Sequence, residues 1–320
     1  MCSVEVVPGM KAVGFTTPGP PEVLEVLDLP RPTCGPGELR VRVHAAAVNP
    51  TDVARRDGTG LGRSAPAPPH VPGMDAAGVL AEIGPDTDTD LAVGENVIAV
   101  VVPSGTHGAY AEEIVVPAES VVRAPKGTSH SEASTLPMNG LTAQLALDTL
   151  GLAPGSVLVV TGGAGALGGY TIELAKHAGL RVITDAAEQD EPLLAELGAD
   201  LVLPRGEGFA ERVRDHYPDG ADGAVDGAML HQSLAPALAD QATIITIRGY
   251  QEPGERGVSF QPVWVPQYAR AHAKLDELRE LADQQKLTLR VADTVPAEQA
   301  AQAHRRLEGG GVRGRIVLQF

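Results

Sequence analysis

Residues 156–185 read SVLVVTGGAGALGGYTIELAKHAGLRVITD, and this stretch limits the fold more than any other. Residues 157–161 form an apolar, β-branched run of buried-strand length. Gly162, Gly165 and Gly168 then recur at every third position. Leu167, Tyr170, Leu174 and Ala175 follow at helical spacing, and residues 180–184 make a second short strand. Glycines keep such a turn tight and let backbone N–H groups approach a pyrophosphate, which the positive helix N-terminus favours. Gly168 would let the helix pack closely on the strand. A tight strand-to-helix turn with no ligand has the same spacing, but a flanking strand and helix are the context in which this motif points to a dinucleotide.

The pattern continues downstream. Helix 191–197 stops at Gly198, where a C-cap would sit. Strand 201–203, helix 209–216, strand 223–226, helix 232–239 and strand 243–247 follow. Strands alternating with helices specify a parallel, doubly wound sheet. Upstream the character differs. Residues 39–45 alternate with period two, residues 97–102 are an apolar strand, and short strands broken by Pro and Gly suggest a β-rich, barrel-like domain. His44 lies within the alternation and reads as a packed or surface histidine. Residues 58–69 are rich in Gly, Pro and Ala and read as a loop. From residue 129 the period becomes helical, with short helix 131–136 and helix 140–150. At the C-terminal end an amphipathic segment, 275–285, precedes strands 287–291 and 316–320 around helix 297–307. The fold class is therefore α/β, and a ligand is expected in the cleft between domains, near the carboxyl ends of the parallel strands.

The bulk properties exclude several functions. A length of 320 residues suits about two domains. No apolar run approaches the ~18 residues of a membrane helix, and residues 1–10 lack a secretory pattern, so a soluble, cytoplasmic protein with no membrane partner is expected. Residues 1–9 read as a loose extension. A net charge of −16 argues against nucleic acid. Cys2 and Cys34 form no CxxC pair, and nine histidines include no HExxH, so no metal is expected.

Other motifs carry a resemblance. They are Pro36-Gly37-Glu38, residues 46–52 (AAVNPTD), Pro72-Gly73-Met74-Asp75, residues 108–112 (GAYAE) and residues 136–143 (LPMNGLTA). After the glycine turn come Leu197-Gly198-Ala199-Asp200 and residues 314–318 (GRIVL). In this order the chain resembles the medium-chain dehydrogenase/reductase superfamily, and within it the zinc-free quinone oxidoreductase and enoyl reductase branch. The resemblance implies a GroES-like β-rich catalytic domain from residues 1–136 and 264–320 around a Rossmann dinucleotide-binding domain at 137–263. It also implies a nicotinamide cofactor and a homodimer paired through the sheet edge, for which residues 258–265 are the candidate; the alternative there is a surface hairpin. Zinc-dependent members have Cys where this chain has Asn49 and His where it has Met74, so the resemblance too implies no metal.

The reaction implied is hydride transfer to a quinone or conjugated enone, a small-molecule acceptor that spreads the incoming charge. The alternative is a nicotinamide-binding protein without turnover. Asn49, Thr142 and Arg248 are the candidate catalytic residues. Asn49 could instead be a turn residue before Pro50, and Thr142 could satisfy a helix N-terminus. Arg248 could clamp a substrate carboxylate or carbonyl, or pair with an acidic neighbour. Asp52 reads as structural, paired with Arg56, or as a proton relay. Tyr110 reads as packing or catalysis. Related enzymes often have a tyrosine near Ala54, so no general acid is evident.

For the cofactor, Thr142, Gly162, Gly165, Ala166, Leu167, Gly168, Ile247 and Gly249 are candidate contacts. NADPH is favoured by family frequency, with Arg205 and Arg315 to hold the 2′-phosphate. NADH is possible because Asp185 stands where a ribose-binding acid is expected and the residues after it are acidic.

Overall fold

The computed structural model describes residues 9–62 and 65–320. Cys2, most of the stretch read as an extension, and residues 63–64 of loop 58–69 lie outside the described residues. The chain divides into two compact units. Unit 1 comprises residues 1–138, 269–280 and 289–320, and unit 2 comprises residues 139–268 and 281–288. Residues 281–288, read from sequence as part of the catalytic domain, thus belong with unit 2.

In chain order the strands are β1 (Gly9–Gly14), β2 (Glu25–Pro30), β3 (Glu38–Ala47), β4 (Asp75–Ile83), β5 (Asn96–Val100), β6 (Glu113–Pro117), β7 (Val121–Arg123), β8 (Val157–Thr161), β9 (Arg181–Ala186), β10 (Leu201–Pro204), β11 (Ala221–Asp226), β12 (Leu238–Thr246), β13 (Ser259–Pro262), β14 (Val291–Pro296) and β15 (Arg315–Gln319). The helices are α1 (Pro50–Asp57), α2 (His130–Ala133), α3 (Pro137–Leu150), α4 (Ala166–His177), α5 (Glu191–Glu196), α6 (Phe209–His216), α7 (His272–Asp283) and α8 (Ala300–Glu308).

Unit 1 is built on a sheet of order β14-β15-β3-β4-β5-β7. One edge of β3 is shared: its first half pairs with β6 and its last three residues pair with β15. The C-terminal strand is therefore inserted beside an N-terminal one, so both ends of the chain complete one GroES-like core. Strands β14 and β15 run parallel, joined through α8. The strand expected at 287–291 is displaced: β14 begins at Val291 and occupies the residues that follow. His44 is half-buried and stacks on His130 with ring centroids 4.8 Å apart, in keeping with a packed histidine.

Unit 2 is a six-stranded, wholly parallel sheet of order β10-β9-β8-β11-β12-β13. The chain steps outward from β8 through β9 to β10, then returns to the other side of β8 with β11. The switch point lies between β8 and β11, and ligands of such sheets bind beyond the carboxyl ends of the strands there. Two local readings differ. Residues 232–239 form a 3₁₀ segment, His231–Ala237, interrupted by Pro236, whose ring cannot continue an α-helix. Strand β12 ends at Thr246, leaving Ile247 to Gly249 as a turn. Residues 259–262 pair in parallel with β12 at the sheet edge, which excludes a hairpin.

Close backbone approach explains Gly78 in the middle of β4. The register shifts beside it, and a methyl group there would lie 1.9 Å from the Arg42 carbonyl oxygen. The obstacle is backbone and cannot rotate away. Gly78→Ala is therefore expected to cost roughly 3 kcal/mol, measured as a lower midpoint in urea unfolding.

Candidate functional site

In unit 2 the glycine turn takes the shape its spacing suggests. Gly162 has φ +69°, a left-handed conformation natural to glycine. A methyl on Gly168 would lie 2.3 Å from the Gly162 oxygen, so bare backbone lets α4 seat on β8. Gly163, which the periodicity did not single out, is equally constrained: its added methyl would meet Thr184 Oγ1 at 2.1 Å. Helix α4 starts at Ala166 with Gly165 at the cap, a residue with no side chain to satisfy the helix end. Backbone kept clear of side chains, at the start of a three-turn helix, fits a pyrophosphate. Leu167 lies in the first turn of that helix.

Two carboxylates shape the strand ends around this turn. Asp185, buried at the end of β9, accepts the Gly162 N–H at 2.6 Å. Burial raises its carboxyl above the usual range, while the Gly162 and Gly163 N–H groups and Arg205 oppose the rise. Asp185 thus already holds the turn. Asp226, at the end of β11, accepts Thr161 Oγ1–H at 2.7 Å and the N–H groups of Leu230 and His231 at 3.0 and 2.8 Å. It holds Met229 and His231 at φ 60° and 51°, uncommon for residues with a Cβ. Sequence reasoning missed Asp226; its only signal is an acid at the carboxyl end of a parallel strand.

Arg205 is exposed just beyond β10, and its backbone N–H donates to the Ala186 oxygen at 2.9 Å. Arg248 is exposed in the turn after β12 with Gly249 at φ +78°, and Ile247 is half-buried there. Thr142 is buried six residues into α3, past the helix cap.

The other candidates lie in unit 1, in a buried polar cluster. Asn49 is fully buried; its Nδ2 donates to Asp75 Oδ2 at 2.6 Å and, at 3.4 Å, to the Ala47 oxygen. Asp75 Oδ1 also accepts the Met138 N–H at 2.6 Å. Asp52 accepts the N–H groups of Asn49 and Gly73, each at 2.8 Å, and the Tyr110 hydroxyl at 3.3 Å. Tyr110 Oη lies 3.2 Å from His304 Nε2. Burial pushes His304 down to about 3, so it is neutral. With the tyrosine proton given to Asp52, His304 Nε2–H is the donor to Tyr110. The expected Asp52–Arg56 pair is not formed; Arg56 is turned to Glu308, with Nη2 2.6 Å from Oε1. Arg315, expected at the cofactor, is buried at the start of β15, where its charge acts on Asp52 and Asp75. Met74 is buried beside Asp75. Among the described residues no three metal-ligating side chains converge, and no helix is long and apolar enough to cross a membrane.

A six-stranded parallel sheet with a glycine-cradled helix start, alongside a GroES-like unit, defines a two-unit nicotinamide-type oxidoreductase. The comparisons agree. The alcohol dehydrogenase GroES-like domain model matches residues 35–126, and the zinc-binding dehydrogenase model matches residues 197–318. A 2-haloacrylate reductase from Burkholderia sp is 31% identical, over 89% of this chain and 91% of its own. The quinone oxidoreductase from Coxiella burnetii superposes with a TM-score of 0.85 at 26% identity, covering 98% of this chain and 100% of that one. A mycobacterial protein solved in complex with NADPH superposes with a TM-score of 0.85 at 27% identity, covering 97% and 100%. This chain belongs to the medium-chain dehydrogenase/reductase superfamily and is an oxidoreductase.

Burial pushes Asp75 up to about 7 and Asp52 up to about 6. In the unfolded chain both ionise in the ordinary carboxylate range. Between about pH 4 and pH 7 the unfolded state therefore gives up these protons first, and the stability they contribute is lost as pH rises. The stability of the wild type relative to Asp75→Asn is expected to fall by at most about 4 kcal/mol across that window and to level off above it. Urea unfolding at stepped pH measures this difference.

Proposed function

We propose that the protein is an NADPH-dependent, zinc-independent reductase of quinones or conjugated enones. The observation that carries the reading is the bare-backbone turn from Gly162 to Gly165 that leads into α4, with Gly168 packed on it from within the helix, beside the switch point of the parallel sheet. The name of the quinone oxidoreductase supports a quinone acceptor, and that of the 2-haloacrylate reductase supports reduction of a C=C conjugated to a carbonyl group. A reduced nicotinamide, when bound, supplies a hydride to such an acceptor.

The chain's own residues do the rest. Gly162, Gly165, Ala166, Leu167 and Gly168 hold the pyrophosphate, and Thr142, Ile247 and Gly249 border the nicotinamide half. Asn49 acts from the polar core. Its amide nitrogen is committed to Asp75, so it positions its surroundings and does not polarise a carbonyl. Zinc independence rests on the donor set: an amide bonded to a carboxylic group and a buried thioether stand at Asn49 and Met74, and both are poor zinc ligands beside thiolate and imidazole. Edge strand β13 is the surface through which a homodimer would pair.

The NADPH preference rests on Arg205, two strand spacings from the glycine turn on the adenosine side, ~10 Å. Asp185 favours the second reading, NADH, because an acid there suits a ribose diol and repels a phosphate. Its bond to Gly162 weakens that reading.

Titration with NADPH and NADH, followed by cofactor fluorescence, tests both. NADPH is expected to bind more tightly, and Arg205→Ala is expected to weaken NADPH about tenfold or more while affecting NADH less. A preference for NADH would put Asp185 on the ribose. Oxidation of the bound nucleotide by a small quinone or cyclic enone then checks turnover.

A further inference from the structure

Arg248 is set in a built turn. Thr246 Oγ1–H donates to the Tyr250 carbonyl at 2.7 Å, closing the turn around Ile247, Arg248 and Gly249. The Tyr250 ring is stacked on His231, with centroids 4.0 Å apart and planes 5° apart, and meets Phe260 edge-on at 5.1 Å. Asp226 in turn anchors the His231 backbone. A methyl on Gly249 would lie 3.1 Å from the Trp264 indole, so the turn is packed on that side as well. Its position is thus fixed by a strand end, an aromatic stack and a neighbouring indole.

The charge on this turn has no internal explanation. The chain holds 41 acidic residues against 25 Lys and Arg. Asp, Glu and backbone carbonyls take up many of those cations, including Arg40, Arg56, Arg123, Arg214 and Arg256. Among the described residues Arg248 has neither an ion pair nor a side-chain hydrogen bond, although an acidic neighbour was one of the two roles expected for it. It lies just past the carboxyl end of β12, at the same end of the sheet as the glycine turn. In strand order it is two spacings from β8, ~10 Å, on the side opposite Arg205.

We propose that Arg248 is a specificity-determining residue that favours, among acceptors with a C=C conjugated to a carbonyl group, those carrying a carboxylate over the neutral enones and quinones of the broader reading. This rests on the reductase reading above. A guanidinium presents two parallel N–H groups that match a carboxylate. It also lowers the cost of placing further negative charge on an acceptor that is already anionic, a help that a neutral enone or quinone does not need.

Trp264 is the chain's one tryptophan, half exposed and next to the turn, so its fluorescence reports the site directly. The purified protein, saturated with NADP⁺, is titrated with butyrate and with butyramide. The carboxylate is expected to bind more tightly than the amide, Arg248→Gln to weaken butyrate by about tenfold or more, and Arg248→Lys to recover part of the loss. Equal butyrate affinity in wild type and Arg248→Gln overturns the proposal, as does an amide bound as tightly as the acid. A second arm follows NADPH oxidation by 2-butenoate and longer 2-alkenoates, against cyclohexenone. Reduction of cyclohexenone without reduction of any alkenoate overturns the carboxylate proposal and leaves the reductase reading standing. Butyrate bound through Arg248, with neither acceptor reduced, supports the carboxylate site and counts against the reductase reading alone.

Discussion

The buried carboxylate of Asp52 organises unit 1. It lies at the start of α1, inaccessible to solvent, and collects donors from three separate parts of the chain: the Asn49 N–H, the Gly73 N–H and the Tyr110 hydroxyl. His304, on α8 near the C-terminal end, completes the array through Tyr110. A carboxyl group without such partners could not remain in an apolar interior. Its presence therefore locks the entry to β4, the start of α1 and the packing of α8 into one arrangement. Asp75 repeats the device, joining Asn49 to the Met138 backbone.

Unit 2 uses acids differently. Asp185 and Asp226 stand at carboxyl ends of parallel strands and receive backbone N–H groups from neighbouring loops. They shape the loops on either side of the switch point, where a dinucleotide would lie. This gives Asp185 a task apart from any ligand. An acid about 20 residues past a glycine turn is thus weaker evidence for NADH than spacing alone implies, because the same carboxylate is needed to hold the turn.

Much of this was legible in the chain. The glycine spacing, the apolar runs and the change from strand to helix period foretold the doubly wound sheet, since each is a local pattern with one structural solution. The β-rich unit was legible as a class, and of the two readings left open for residues 258–265 the edge strand is the one formed, over Ser259–Pro262. The misreadings were local competitions. Pro236 turned an expected helix into a 3₁₀ segment, and the strand expected at 287–291 moved to β14. At the site, Gly162 and Gly168 were visible by period, whereas Gly163 was hidden because its constraint comes from Thr184 on another strand.

The sequence by itself determined the fold class and the location of the glycine turn, because strand and helix periods and turn residues act over a few neighbouring positions; the family was legible only through the resemblance of its motifs. Only the tertiary structure decided the pairings. Arg56 meets Glu308 in place of Asp52, Tyr110 meets His304 across 194 positions, and Arg315 is buried where its charge acts on Asp52 and Asp75. The partner of a buried polar group is set by which elements pack together, and no local pattern along the chain encodes that choice.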